Sequence, residues 1–439
     1  MKIRGLITAA LVFFALAGTL YWSEHRKPAD AGSTVSADAP PSILKLDEAS
    51  VTKLTWKRKD ADQVAIEKDS SGNWRITEPE SLGADQSTVS GTLSALSNLT
   101  SDRLVEEKAS DVKRYGLDQS PVDLKITDKG NKSRELQLGD ETPTGNAVYA
   151  KLADDPRVFT IASYVKSNLD RSLNDLRDKR LLTVNSDKVS RIELLKKKEL
   201  IEFGRDKNEW QIIKPRPLRA DSSQIGDLLQ KLVDARMDLS ATDSKGAAST
   251  FASSAPLATA KVSDQSGTQE LQVRKSKDAY YAKSSVVGGV FKIGPEVGQS
   301  LDKSLDDFRD KKVFDFGYED PGTIEWRSGS KVISLIKSGG DWWLNGKKMD
   351  GSDVESVLSK LRSLAAKKFP NSGFKATEIE VSVTSDSGKR IEKVFIGKTG
   401  NGYIAKREND TSLYEIDPNL VDELQKAVDG IKPASAPAK

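Results

Sequence analysis

The chain has 439 residues, of which 37% are apolar and 30% are charged, so it is long enough for several domains that each bury a core. Its 68 basic and 65 acidic side chains give a net charge of +3. The two signs are mixed along the sequence, which excludes the basic stripe of a nucleic-acid-binding protein. The chain has no cysteine, which excludes disulfides, thiolate metal sites and cysteine nucleophiles.

The first apolar segment is an uncharged run over residues 5–22. As a helix it would span about 27 Å, close to the thickness of a bilayer core. Lys2 and Arg4 precede the run, and the positive-inside rule then keeps the N-terminus in the cytoplasm. We therefore expect residues 1–22 to form a cytoplasmic tip and a single-pass anchor in a bacterial inner membrane, with a periplasmic body. A cleaved signal peptide is the alternative, because residues 15–17 (Ala-Leu-Ala) have the form of a cleavage site, and it exports the body as well.

Residues 23–42 are rich in Ala, Asp, Ser and Pro and lack aromatic side chains. Such a segment cannot bury enough surface to fold, so we expect a disordered spacer between the membrane and the body. The only histidine, His25, lies in this spacer. The body beyond it therefore has neither histidine nor cysteine, which excludes a Ser-His-Asp triad, a zinc site with histidine ligands and thiol chemistry.

A tryptophan recurs on a predicted strand at Trp74, Trp210 and Trp342, each after a turn rich in Gly, Asn and Asp. These positions (74, 210 and 342) are 136 and 132 residues apart. The segment 171–179 (RSLNDLRDK) returns 132 residues later as 303–311 (KSLDDFRDK). A period of this kind predicts tandem repeats. It also argues against an enzyme, because a single active site rarely needs its scaffold in triplicate.

The predicted fold class is α+β: an N-terminal transmembrane helix followed by three tandem repeats, each of antiparallel strands plus two helices. The predicted repeats cover residues 43–182, 183–313 and 314–432. We expect residues 433–439 to be a disordered tail.

Within the first repeat, alternating apolar and polar residues predict short antiparallel strands. A first helix follows a run of capping side chains at 85–88, and a second is expected over 163–178. The predicted strands cover residues 51–57, 64–66, 74–76, 122–126, 135–138, 147–152 and 158–161.

The second and third repeats follow the same order of elements. The helix of the second repeat carries apolar residues between 225 and 232, and the helix of the third carries them between 354 and 361. The third repeat differs at its end, where residues 421–428 replace the charged phrase of 303–311. Terminal repeats often differ in this way because no neighbour packs on them.

The charged phrases at 171–179 and 303–311 lie where one predicted repeat ends and the next begins. We favour a structural latch at the repeat junctions, since the phrase is absent from the free end of the third repeat. The basic residues at 179–180 and 311–312 would then lie at helix C-termini, where the macrodipole favours cations. In the alternative interpretation, the carboxylates of these phrases act as acid/base groups or as calcium ligands. The junction candidates are Asp175, Arg177, Asp178, Asp307, Arg309 and Asp310.

Two further motifs have a structural and a functional interpretation. Exposed tryptophans at 74, 210 and 342 would stack on sugar rings, but their recurrence at one position favours a core residue in each repeat. Trp343 faces the opposite side from Trp342, because neighbours on a strand alternate. Residues 138–145 resemble a phosphate loop but lack its Gly-Lys-Ser/Thr ending, and fit a hairpin connection better.

Four sets of phrases carry a resemblance to a known family: 74–76 (WRI) before 84–85 (AD), 115–117 (YGL), 138–140 (LGD) with 143–145 (PTG), and 173–182. They resemble the bacterial family called domain of unknown function DUF4340, and the resemblance covers nearly the whole exported part. Members of that family look like membrane-anchored proteins, often encoded beside gliding-type ABC transporter components, and this association implies an accessory part of an envelope transport system. The family has no established catalytic residues, so the resemblance carries none over to this chain.

We therefore expect a non-catalytic, membrane-anchored extracytoplasmic scaffold or accessory protein without a cofactor. Its expected partners are the inner membrane and, by resemblance, ABC transporter subunits. One alternative is a periplasmic binding module for cell-wall glycan or another envelope polymer. A less favoured alternative is a carboxylate-dependent hydrolase, which needs two acids facing each other in one cleft.

Overall fold

The computed structural model describes residues 42–240, 244–317, 321–400 and 402–434. The predicted anchor at 5–22 lies outside these residues, as do all but the last residue of the spacer and most of the predicted tail. Within the described ranges, no helix is both long enough and apolar enough to cross a membrane.

Three antiparallel sheets with helices packed on them make this an α+β protein, as predicted. The chain divides into two compact units, Met1–Asp178 and Lys179–Lys439. Sheet 1 belongs to the first unit, and sheets 2 and 3 belong to the second. The three main hydrophobic clusters lie within residues 43–176, 181–308 and 313–428, so each sheet has its own core.

Sheet 1 has nine strands, and two neighbouring strands near its middle are distant in the chain. Its strands are β1 (Val51–Arg58), β2 (Val64–Lys68), β3 (Trp74–Glu78), β4 (Leu82–Gly83), β5 (Arg103–Glu106), β6 (Val122–Asp128), β7 (Ser133–Glu141), β8 (Ala147–Leu152) and β9 (Val158–Ala162). They pair in the order β4-β3-β2-β1-β6-β7-β8-β9-β5. Two meanders therefore join where β1 pairs with β6, and helix α1 (Gln86–Ser97) connects the ends of the sheet.

The predicted second helix of the first repeat, over 163–178, is wrong as a single element. The structure has two short helices there, α2 (Ser163–Leu169) and α3 (Leu173–Leu176). The chain is extended at Ser172, whose hydroxyl accepts from the Asp175 N–H while the Asp175 carboxylate accepts from the Ser172 N–H. This capping box begins a new helix, so the apolar spacing across both helices does not indicate continuity.

Sheet 2 has seven strands and repeats the arrangement of the two meanders. Its strands are β10 (Arg191–Lys196), β11 (Glu199–Asp206), β12 (Glu209–Lys214), β13 (Ala255–Asp264), β14 (Gly267–Ser276), β15 (Ala279–Ser284) and β16 (Phe291–Ile293). They pair in the order β12-β11-β10-β13-β14-β15-β16. Its helices are α4 (Ser222–Val233), α5 (Ser244–Ser253) and α6 (Pro295–Asp302). Helix α5 is not predicted by the sequence, because its small residues carry little apolar periodicity. The prediction of two helices for this part of the chain is therefore too low.

Sheet 3 again has nine strands. They are β17 (Thr323–Ser328), β18 (Lys331–Ser338), β19 (Asp341–Leu344), β20 (Lys347–Lys348), β21 (Ala366–Lys368), β22 (Ile379–Ser385), β23 (Arg390–Thr399), β24 (Gly402–Arg407) and β25 (Leu413–Ile416). They pair in the order β20-β19-β18-β17-β22-β23-β24-β25-β21. Helices α7 (Gly351–Ser363) and α8 (Pro418–Asp429) pack on this sheet.

The helix that follows the first meander begins in the same way on every sheet. The N-cap is Asp85, Asp221 or Asp350, and each carboxylate accepts a backbone N–H of the first helical turn. Residues spaced three or four apart on the helix then face the core. The buried residues include Val89, Leu93 and Leu96 on α1, Ile225, Leu228, Leu229 and Leu232 on α4, and Val354, Val357, Leu358 and Leu361 on α7.

Candidate functional site

The candidate site is a groove of about 1060 Å³ between sheets 2 and 3, in the second compact unit. We call it the junction groove. Sheet 2 contributes residues 208–213 and 217–223. The stretch 309–315, which links sheet 2 to sheet 3 and which we call the connecting segment, contributes 310–312 and Asp315. Sheet 3 contributes Ala365 and residues 391–393 and 407–411.

The connecting segment forms backbone hydrogen bonds with both sheets. Arg309 pairs with Ala220 beside the edge of sheet 2, and the Asp310 N–H donates to the Arg219 carbonyl at 3.1 Å. Three residues later the Val313 N–H donates to the Leu364 carbonyl beside sheet 3 at 2.9 Å. The segment is therefore extended, and its backbone forms hydrogen bonds first beside sheet 2 and then beside sheet 3.

The prediction that the basic residues at 179–180 and 311–312 lie at helix C-termini is wrong. Helix α3 ends at Leu176, and the short 3₁₀ helix Leu305–Asp307 ends before Phe308. The basic residues follow in extended chain, because Arg180 pairs with Arg236 and Lys312 pairs with Ala365 across the backbone. Backbone pairing, rather than the helix dipole, determines their place.

Asp175 and Asp307 form matching capping boxes, and they do not reach the groove. The Asp307 carboxylate accepts from the Ser304 N–H at 2.8 Å, as Asp175 does from Ser172. The hydrogen bond from the Ser304 hydroxyl lowers the pKa of Asp307, although burial opposes this. These two carboxylates therefore organise local turns.

Arg177 and Asp178 occupy, in the first unit, the place that Arg309 and Asp310 occupy in the second. Arg177 pairs with Ala84, and the Asp178 N–H donates to the Gly83 carbonyl at 2.9 Å. At the end of the third sheet the same backbone geometry persists without the charged phrase. There Pro433 pairs with Met349, and the Ala434 N–H donates to the Lys348 carbonyl at 2.9 Å.

Arg309 is buried, with 6% of its surface exposed. Its guanidinium carbon lies 3.5 Å from the ring centre of Phe369, and Nη1 donates to the Asp306 carboxylate at 3.2 Å. Burial lowers the pKa of Arg309, and Asp306 opposes that shift. Because Phe369 belongs to the core cluster of sheet 3, this cation–π contact ties the connecting segment to that core.

Asp310 forms an ion pair with Arg219. Arg219 belongs to none of the motifs that the sequence repeats. The Arg219 guanidinium also donates to the Lys312 carbonyl at 2.7 Å and lies 3.8 Å from the Asp315 carboxylate. Burial raises the pKa of Asp310, and the charge of Arg219 opposes that rise. Asp310 is therefore half-buried in the groove and lies outside the helices of this segment.

A tyrosine extends the network on the side of sheet 3. The Tyr414 hydroxyl donates to the Asp410 carboxylate, and Arg219 donates to the Tyr414 oxygen at 3.4 Å. Burial and the bond to Asp410 raise the pKa of Tyr414 to about 12. Burial also acts to raise the pKa of Asp410, but hydrogen bonds from Tyr414 and Ser412 outweigh it and leave that pKa lowered.

A second charged cluster surrounds Glu392, whose side chain is 4% exposed. Its carboxylate lies 2.8 Å from Arg390 and 3.4 Å from Arg407, and it accepts from the Asp315 N–H at 2.7 Å. Arg407 also donates to the Val313 carbonyl at 2.5 Å. The cluster therefore fixes the connecting segment on the face of sheet 3.

The three recurring tryptophans lie in the cores. Trp74, Trp210 and Trp342 are each 6% exposed. A cation from the preceding strand lies over each indole ring, an arrangement that stabilises a partly desolvated charge. The cations and their distances from the ring centre are Lys68 at 5.1 Å, Arg205 at 5.7 Å and Lys337 at 5.7 Å.

The two glycine phrases at 115–117 and 138–140 pack against each other in the first unit. Gly116 has φ +64°, and a Cβ on Gly139 would lie 2.1 Å from the Tyr115 carbonyl oxygen. The Tyr115 ring lies 4.8 Å from the Tyr149 ring, centre to centre. Glycine is therefore needed at 116 and 139, where the two segments approach each other closely. The connection over 142–146 is a hairpin turn, as predicted, with the Thr142 N–H donating to the Ala147 carbonyl at 2.8 Å.

Within the residues that the structure describes, no group of three or more His, Asp or Glu side chains could hold a metal ion. The fold and the groove thus define a class of protein. It is an α+β protein built of antiparallel sheets, two of which are joined by a charged connecting segment.

Comparison with protein families identifies the family of this chain. The model of the domain of unknown function DUF4340 matches residues 74–211 and 210–380, so the chain belongs to the DUF4340 family. The two matched segments begin at Trp74 and Trp210, one predicted period apart. No curated protein matches the chain.

Proposed function

We propose that the protein is a non-catalytic scaffold or accessory protein, held at the periplasmic face of a bacterial inner membrane by residues 5–22. In this proposal its body is three tandem repeats, one on each sheet. The proposed partners are subunits of an ABC-type envelope transport system. That partnership rests on the family resemblance, which is an association rather than a physical argument.

The pairing of charges in the junction groove supports a structural role best. Arg219 binds Asp310, and Arg390 binds Glu392. A hydrolase needs a carboxylate that can exchange a proton with a substrate. Asp310 and Asp315 do lie in one groove, but both approach the same arginine. Carboxylates held in this way join segments of the fold, which supports a structural role for them over an acid/base role.

The proposed repeats are supported by common topology. In each sheet a meander that contains the recurring tryptophan pairs through its first strand with a second meander. The segments beginning at Ile43, Leu181 and Val313 also start alike, since each donates a backbone N–H to the residues just after the first long helix. The acceptors are the carbonyls of Leu99, Ala235 and Leu364.

The glycan-binding alternative receives little support from the recurring tryptophans. Sugar-binding aromatic residues present a ring face to solvent, whereas Trp74, Trp210 and Trp342 are buried beneath cations. A row of exposed rings aligned across the sheets would favour that alternative.

The test is a mild crosslink in intact cells that produce the full-length protein, followed by detergent extraction, affinity purification and mass spectrometry. We expect transporter subunits to be recovered. A matched variant replaces residues 5–22 with an unrelated membrane span and distinguishes recruitment by the anchor from recruitment by the body. Recovery of glycan-linked material, or of no protein partner, would contradict the proposal.

A further inference from the structure

The outer face of sheet 3 carries an unusual concentration of exposed apolar side chains. Val332, Ile336, Trp343 and Ile391 are 61%, 52%, 36% and 61% exposed. They make up half of the large apolar side chains that are exposed within the described residues. Exposed apolar side chains concentrated on one face of a sheet indicate an interaction site.

Three of these residues lie on one line across the sheet, which we call the apolar row. In strand order it runs Trp343, Ile336, Thr323, Thr384 and Ile391, each the cross-strand partner of the next. Four interstrand spacings give it a length of about 19 Å. At one end Ile391 also lines the junction groove.

Sheet 3 alone has apolar side chains on this line. Sheets 1 and 2 have polar residues or glycine on the corresponding lines, so neither the fold nor the strand pairing requires apolar side chains there. The line in sheet 1 is Arg75, Glu67, Lys53, Thr127 and Ser133. The line in sheet 2 is Gln211, Gly204, Arg191, Ser263 and Thr268.

We infer that the apolar row is a docking surface for one amphipathic helix of a partner protein. A helix of about 13 residues is about 19 Å long and presents an apolar stripe one side chain wide. The row has the same length and width. Because its strands are paired, the surface is already formed before the helix binds, which lowers the entropic cost of binding.

The dimensions argue against a second copy of this chain as the occupant. A stable dimer of globular subunits buries about 800 Å² per partner, and a strip one side chain wide is far smaller. A polar line runs directly beside the row, through Ser334, Glu325, Ser382 and Lys393. Lys393 is already paired with Glu380 at 2.8 Å, so a helix on the row is expected to place a basic residue near Glu325.

Trp343 is the expected anchor of the contact. Its indole N–H donates to the Ser338 carbonyl at 3.3 Å, so the polar edge of the ring is satisfied within the sheet. The exposed part of the ring is then free to pack on apolar side chains, as tryptophan does at binding hot spots.

This inference deepens the proposed scaffold role and rests on it, because a scaffold needs a surface for a partner. Its test places a photocrosslinking amino acid at 336 or 343 in the full chain, in intact cells. The matched control positions are 67 and 75, on the corresponding line of sheet 1. We expect crosslinks from 336 and 343 to one partner segment with apolar residues three or four apart, and none from 67 or 75.

The second measurement uses a synthetic peptide of the crosslinked segment and the purified full chain. The double variant Ile336→Glu, Trp343→Arg introduces the residue types that sheet 1 already has, so its fold is expected to persist. We expect Kd to rise about 30-fold, the loss typical of a hot spot, and Glu325→Lys to weaken binding further. An unchanged Kd overturns the inference.

Other outcomes are equally decisive. Crosslinks to a second copy of the chain, to lipid, or to a segment without helical spacing overturn the inference, as does equal crosslinking from 67 and 75. If the double variant still recovers transporter subunits like the wild type, the docking surface fails and the scaffold role stands. If the wild type recovers no protein partner, the scaffold role fails.

Discussion

At the scale of single residues, the Arg219 guanidinium contacts the connecting segment at several atoms in the junction groove. It binds the Asp310 carboxylate, the Lys312 carbonyl and, more weakly, the Tyr414 oxygen. The ion pair with Asp310 is largely shielded from solvent, since the two side chains are 24% and 18% exposed, and removing one partner of such a pair leaves the other charge uncompensated.

We therefore predict that Arg219→Ala lowers the free energy of unfolding by about 3 kcal/mol. The matched control is Lys348→Ala, which removes the residue at the corresponding position of sheet 3. Lys348 is half exposed and pairs with the exposed Asp341, so its loss is expected to change stability by less than about 0.5 kcal/mol. Urea unfolding measures both. Equal effects would show that Arg219 is not a structural residue.

Tyr414 provides a pH-dependent prediction. Its pKa is raised to about 12 in the fold, above the value of about 10 in an unfolded chain. The neutral phenol is thus favoured by folding. Its contribution to stability is fully present below about pH 10 and is lost as the pH rises to about 12, by at most roughly 2 to 3 kcal/mol.

We expect Tyr414→Phe to lose less stability than the wild type between pH 10 and 12, because it has no phenol to ionise. Absorbance of tyrosinate, followed in parallel, should show one fewer late-titrating group. Tyr164→Phe is the control, since Tyr164 is 74% exposed. The same pH profile in all three proteins would contradict the assignment.

At the scale of elements, two glycines of the first unit predict opposite effects of the same substitution, because one lies in a close backbone approach and the other in an open stretch of helix. Gly139→Ala places a Cβ 2.1 Å from the Tyr115 carbonyl, so the backbone must move and stability should fall by more than about 2 kcal/mol. Gly91 lies within helix α1 with open space around it, so Gly91→Ala should stabilise by about 0.5 to 1 kcal/mol. Thermal unfolding of both variants is the measurement, and a loss in Gly91→Ala would refute the argument.

The elements also show what the sequence could and could not predict. Alternation and turn chemistry are local signals, and they place seven of the nine strands of sheet 1 to within a few residues but do not predict β4 or β5. The break at Ser172 was missed, since a capping box inside an apolar period resembles continuous helix. Arg219 was missed for a different reason: the corresponding positions hold Gly83 and Lys348, so a search for repeated residues passes over it.

At the scale of the whole molecule, sheets 2 and 3 belong to one compact unit although each has its own core. Their buried apolar residues form separate clusters, and the connecting segment with its charge network contacts both sheets. Arg309 is central because it touches the core of sheet 3 through Phe369 while its backbone pairs with Ala220.

We predict that the double variant Arg219→Ala, Arg309→Glu separates the unfolding of the two sheets. The new carboxylate would lie near Asp306 and over the negative face of the Phe369 ring, and both contacts become repulsive. Hydrogen exchange in urea should show one common opening free energy for strands β10 and β17 in the wild type, and two in the variant. Lys348→Ala with Arg327→Glu, which leaves the connecting segment intact, should keep them equal. Unchanged exchange, protease resistance and melting in the first variant would mean that the segment is a passive linker and that the cores are coupled by other contacts.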